Sequence, residues 1–123
     1  MAVIQLSRIT AVMLGVRDLQ QSLAFYKEKL GLHIIMQEQS LALLRCGDMM
    51  LGLSRSHVNL APQVAGATEV VFAVESVRAA HKALAAEGVI FMSEPRQATE
   101  REWAAHFKDP DGHLLSIFGP EGQ

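Results

Sequence analysis

One pattern of elements occurs twice in this chain, and that internal repeat constrains the fold more than any other feature. In the first copy ITAVMLGV (9–16) is a β-branched, apolar run of strand character. Asp18 follows as a helix N-cap, with Gln21 three residues on to form a capping box. Leu19, Leu23, Tyr26 and Leu30 recur at helical spacing, and Gly31 supplies a left-handed stop. HIIMQEQS, LALLRC and MMLGLS then read as three strands, the last two joined across Gly47-Asp48. The second copy opens with TEVVFAV (68–74). Ser76 caps a helix with a buried stripe of Val77, Ala80 and Leu84, and Gly88 ends it. VIFMSEP, REWAAHFK and HLLSIFG follow as strands, the last two joined by the turn Asp109 to Gly112. Setting Val16 on Val74 superposes the copies. The prediction is an α+β chain of two βαβββ units, about 9–54 and 68–119, with 55–67 as linker. A single unit leaves one sheet face bare, so the two must share a core or a cleft.

Composition narrows the function classes. The 123 residues suffice for one buried core without disulfides. A formal net charge of −2 and the lack of any basic run argue against a nucleic-acid partner. Cys46 is the only cysteine, which excludes a disulfide framework and a cysteine-based zinc site and fits a reducing compartment. No apolar stretch is long enough for a membrane span, and MAVIQLSRIT does not read as a signal peptide. A cytoplasmic protein is expected.

Two βαβββ units, with VRDLQQSLAFYKEKLGL early and FKDPDGHLLSIFG late, resemble the vicinal oxygen chelate superfamily. That group includes glyoxalase I, extradiol dioxygenases, fosfomycin-resistance enzymes and bleomycin-resistance proteins. The resemblance covers nearly the whole chain. It implies curved mixed sheets around a ligand cavity, helices on the outside, and a homodimer. Many members hold a divalent metal through residues on the first and last strands of the units. Those positions fall here on Ala11, Gly52, Glu69 and Ser116. A transition-metal site needs about three suitable protein ligands, and this set offers one carboxylate and a poor serine. No metal and no other cofactor are therefore expected.

Strand alternation assigns faces. Ile9, Ala11 and Met13 share the cavity side, as do Glu69, Val71 and Ala73. Across the first hairpin Leu43 pairs with Gly52 and Arg45 with Met50, giving an apolar wall with Arg45 near its rim. A type I turn at Pro110-Asp111 puts His106 opposite Ser116, so Glu69, Ser116 and His106 form a candidate polar row. No nucleophile elbow accompanies that row, and ligand recognition suits it better than nucleophilic catalysis. Trp103 is expected on the helix side, and Cys46, paired with Met49, as an inert core thiol. Met36, Met49, Met50 and Met92 are candidates for an adaptable pocket lining. His33, His57, His81 and His113 read as solvated surface, and Asn59 to Gly66 as a lid or dimer crossover.

The resulting ligand-binding candidates are Glu69, His106, Ser116, Arg45, Met13, Leu43 and Met50. The expected function is metal-independent binding of a small amphipathic or aromatic molecule, as in drug or toxin sequestration. The alternatives are a glyoxalase-like lyase or isomerase, or a dioxygenase-related enzyme, with a degenerate or displaced metal site. A regulatory dimer module without a ligand is the third reading.

Overall fold

The protein's structure, a computed structural model, describes residues 4, 6–60 and 66–123. Strand β1 (Ala11–Gly15) leads into helix α1 (Leu19–Leu23). The cap forms as the sequence predicts, with Asp18 Oδ1 accepting from the Gln21 amide at 3.1 Å. The expected α-helix does not run unbroken to Leu30. From Ala24 to Lys29 it widens into a π-helical segment, in which the Leu30 amide donates to the Phe25 carbonyl at 3.1 Å. The wider turn lets two adjacent aromatic residues, Phe25 and Tyr26, both bury. Gly31 then ends the helix with φ +77°.

Strands β2 (His33–Gln37), β3 (Leu41–Cys46) and β4 (Met49–Ser54) complete the first sheet, ordered β1-β4-β3-β2 with β1 parallel to β4. A short 3₁₀ turn spans Ser56–Asn59 in the linker. Residues 61–65 of the expected lid lie outside the described residues. The second unit repeats the connectivity: β5 (Glu69–Ala73), helix α2 (Val77–Ala86), β6 (Arg96–Gln97), β7 (Trp103–Lys108) and β8 (Leu114–Gly119), ordered β5-β8-β7-β6. Ser76 Oγ caps α2 through the Ala79 amide at 3.0 Å.

One expected strand is largely missing. VIFMSEP pairs only through Phe91 opposite Phe107, and regular pairing begins at Arg96. Pro95 has no N–H to donate, and a bend at Ser93–Glu94 takes the chain off the ladder. Ile90 (86% exposed) and Met92 (59% exposed) stand at this loose edge.

Helix-facing residues from both units form one core, including Leu14, Val16, Tyr26, Leu44, Leu53, Val77, Phe107, Leu115 and Ile117. Phe107 packs between Phe25 of the first unit and Phe91 of the second, tilted against one and edge-on to the other, with centroids 6.4 and 5.2 Å away. Trp103 packs on the helix side as predicted, with the Arg78 guanidinium of α2 5.3 Å from its ring. The helices are thus shared internally, while Val71 (53% exposed) and Ile35 (43% exposed) leave the opposite sheet faces open. No helix among the described residues is long and apolar enough to cross a membrane.

Candidate functional site

The hairpin after β7 sets the register of the site. The Asp109 amide donates to the His113 carbonyl at 3.1 Å, and the Gly112 amide donates to the Asp109 carbonyl at 2.9 Å. Gly112 takes φ +88°, a conformation costly for a side chain with a Cβ. With the turn fixed, His106 lies opposite Ser116 on the face away from Leu115 and Ile117. On the other side of β8, Ser116 is beside Val71, and Glu69 is beside Leu114. The expected row is therefore diagonal: Glu69 is one pleat pair from the other two. Its carboxylate still reaches across β8, and Glu69 Oε2 lies 3.0 Å from His106 Nε2.

The small side chain of Ser116, on β8 between Val71 and His106, suits that bridge. Alternate strands such as β5 and β7 are about 10 Å apart, and the pair closes this gap over the strand between them. Ser116 is small and buried, at 2% exposure, and leaves the space in which two long side chains meet. The His106 and Glu69 side chains remain 43% and 32% exposed, so both are open to a ligand.

A cavity of about 510 Å³ opens between the edge strands β1 and β5. Of the seven candidate residues, Met13, Met50 and Glu69 line it, with Met49, Cys46 and Val71 among their neighbours. His106, Ser116, Leu43 and Arg45 stand on the sheet faces beside it. Arg45 is exposed, opposite Met50 and His33. Met36 and Met92 do not line this cavity. Met92 instead borders a separate outer groove beside Phe25 and Lys108. Cys46 is half-buried at a cavity wall rather than in the core, and burial pushes its thiol pKa up, away from the reactive thiolate.

The positions that correspond to a family metal do not fit one. Ala11 and Gly52 offer no donor, and among the described residues no group of three or more His, Cys, Asp or Glu converges in the manner of a metal site. The space at position 52 is also taken: a Cβ there would overlap Sδ and Cε of Met13 and approach Leu43 Cδ2 to 3.2 Å.

Sequence reasoning missed a second polar cluster. The Asp109 carboxylate accepts from Tyr26 Oη at 2.7 Å, and from the amides of Asp111 and His113 at 3.0 and 2.8 Å. The Asp111 carboxylate accepts from the Arg17 amide and Nε, each at 3.0 Å, and from Ser22 Oγ at 3.2 Å. The turn of the second unit thereby clasps the first helix. Burial, and then the charge and hydrogen bond of Asp109, raise the Tyr26 phenol pKa far above its ordinary value. His113, expected on the surface, is half-buried with Nε2 2.8 Å from the Gly15 carbonyl oxygen. His81 packs on Phe91 with ring centroids 4.2 Å apart, and His57 is half-buried in the linker. Only His33 of those four is well exposed.

With this geometry established, likenesses to known proteins become informative. Glutathione transferase FosA of Serratia marcescens is 31% identical over 116 residues, which cover 91% of this chain and 80% of that protein. A glyoxalase/bleomycin resistance protein/dioxygenase from Nocardioides superposes with a TM-score of 0.79 at 25% identity, covering 98% of this chain and 91% of that one. Lactoylglutathione lyase from Agrobacterium tumefaciens superposes with a TM-score of 0.78 at 19% identity, covering 94% and 95%. The likeness to the lyase, at this identity, concerns the fold alone. The family model matches residues 8–117, spanning both repeats, and this chain belongs to the Glyoxalase/Bleomycin resistance protein/Dioxygenase superfamily.

Proposed function

We propose that the protein binds a small amphipathic or aromatic molecule, preferably a cationic one, without a metal. The observation that carries this reading is a partly exposed carboxylate, Glu69, on the wall of a cavity lined mainly by apolar residues such as Met13, Met50 and Val71. Thioethers and aliphatic groups accept flat or irregular apolar bodies, while the carboxylate orients a positive end. Sequestration of such a compound in the cytoplasm, by a homodimer, belongs to the same proposal. The exposed apolar residues Val71 and Ile35 on the open sheet faces support a second copy as their cover. Sedimentation that finds only monomer at tens of micromolar, the range of weak interfaces, would remove the dimer.

Calorimetric titration with benzyltrimethylammonium, benzyl alcohol and benzoate tests the binding reading. The expected order is cation, then neutral compound, then anion, and replacing Glu69 with Gln compresses it. Equal binding of all three, or none, overturns it.

The likeness to a glutathione transferase supports a second, enzymatic reading. Glutathione consumption with an aryl halide electrophile, measured with and without added Mn²⁺, decides between them. Turnover above the uncatalysed rate favours the enzyme.

A further inference from the structure

Gly52 lies in the middle of β4, where a side chain would point onto the open face of the first sheet. Its backbone is not in the left-handed region, so conformation alone does not call for glycine. Space does. Gly52 is flanked by Met13 across the β1–β4 ladder and by Leu43 across the β3–β4 ladder. A Cβ at Gly52 would run into the Met13 sulfur and terminal methyl. The thioether therefore lies across β4, in the volume that a side chain at 52 would otherwise fill. What occupies that volume is the end of an unbranched, flexible side chain, not backbone, and such a group moves aside at little cost.

We infer that Met13 is a displaceable floor of the ligand cavity and the residue that sets its specificity. Swinging the thioether off Gly52 opens an apolar recess the size of a small side chain. The Leu43 methyl group and the bare Gly52 backbone border it. The recess takes an alkyl, halogen or thioether substituent and disfavours a charged one, because Met13, Leu43 and Gly52, which border it, offer no group to compensate a buried charge. Glu69 and Met13 line the same cavity, so one ligand engages the carboxylate with its cationic end and the recess with its apolar end. This inference rests on the binding reading above, and it adds which substituent the site selects and by what movement.

The test uses protein labelled with ¹³C at the methionine methyls, with Met13→Leu to assign the Met13 signal. Gly52→Ala fills the recess permanently. Without any ligand it is expected to shift the Met13 methyl resonance while those of Met36 and Met92 stay in place. An unmoved Met13 signal in a folded Gly52→Ala protein overturns the inference. The probes are benzyltrimethylammonium and its para-isopropyl derivative. Wild type is expected to bind the isopropyl compound more tightly, with a shift of the Met13 methyl. Gly52→Ala lowers that preference by roughly fivefold to tenfold, as for one or two methyl groups excluded from a pocket. Met13→Ala, which opens the recess, raises it. A preference unchanged in both variants overturns the role in specificity. If neither probe binds wild type, the binding reading and the ligand half of the inference fall together. The displacement of Met13 is still judged by the ligand-free Gly52→Ala spectrum.

Discussion

Two carboxylates of the second unit, Asp109 in the turn between β7 and β8 and Glu69 on the neighbouring strand β5, are treated in opposite ways. Asp109 is 5% exposed and surrounded by donors from its own turn and from Tyr26. Glu69 is partly open, with His106 beside it and a cavity in front. A buried carboxylate ringed by donors is committed, since removing any partner strands a charge or a polar group. An exposed pair gains little from its own contact and remains available to a ligand. Carboxylate chemistry is the same at both sites; the surroundings commit one to holding the fold together and leave the other open, as the proposed binding role requires.

Breaking this contrast is the clearest way to test it. Asp109→Ala should have the largest effect, a loss of about 3 kcal/mol or more in urea denaturation, because it leaves the buried Tyr26 hydroxyl and two amides without their acceptor. Tyr26→Phe alone should cost about 1.5 kcal/mol. The two changes combined should cost less than their sum, as expected for residues in direct contact. A pH series probes the clasp without mutation. The Tyr26 pKa is raised in the folded protein above its ordinary 10.0, so above that pH the unfolded chain releases a proton that the folded one keeps. The stabilisation is present in full below pH 10.0 and falls as pH rises beyond it. The slope should be about 1.4 kcal/mol per pH unit, and smaller in Tyr26→Phe. Glu69→Gln should have the smallest effect on stability, within about 0.5 kcal/mol, while weakening binding of benzyltrimethylammonium by roughly fivefold. A destabilisation by Glu69→Gln as large as that of Asp109→Ala would erase the distinction.

The features legible in the sequence were those fixed by neighbours along the chain. Asp18 and Ser76 announce their helices because an N-cap acts within three residues, and Gly31 and Gly88 end them by the same local logic. The pairing of His106 with Ser116 follows from a four-residue turn, which sets the register of the whole hairpin. The offset of Glu69 was harder to read, because β5 joins β8 in parallel and no turn connects them. The cavity between β1 and β5 depends on how the two units pack, which periodicity does not encode. Tyr26 and Asp109 are separated by 83 positions, so each looked like an ordinary core aromatic or turn acid. His113 follows a turn, a position that favours solvent, although the turn itself aims it at Gly15. At the loose edge, the apolar run from Val89 suggested more strand than Pro95 permits.

The π-helical stretch from Ala24 to Lys29 has a consequence for chain length as well as for packing. Its wider turns accommodate more residues per turn than an α-helix does. Deleting one residue ahead of Tyr26, such as Ala24, would favour ordinary α-helical bonding: the helix beyond the segment would keep its phase, but the tyrosine would step back one position, about 100° around the axis. If the N-terminal end stayed anchored by the Asp18 cap, the residue reaching the position of Tyr26 would no longer be the tyrosine that meets Asp109. The lock between the repeats thus depends on a residue count within one helix, and a single-codon deletion would undo it while leaving every participating side chain in the sequence.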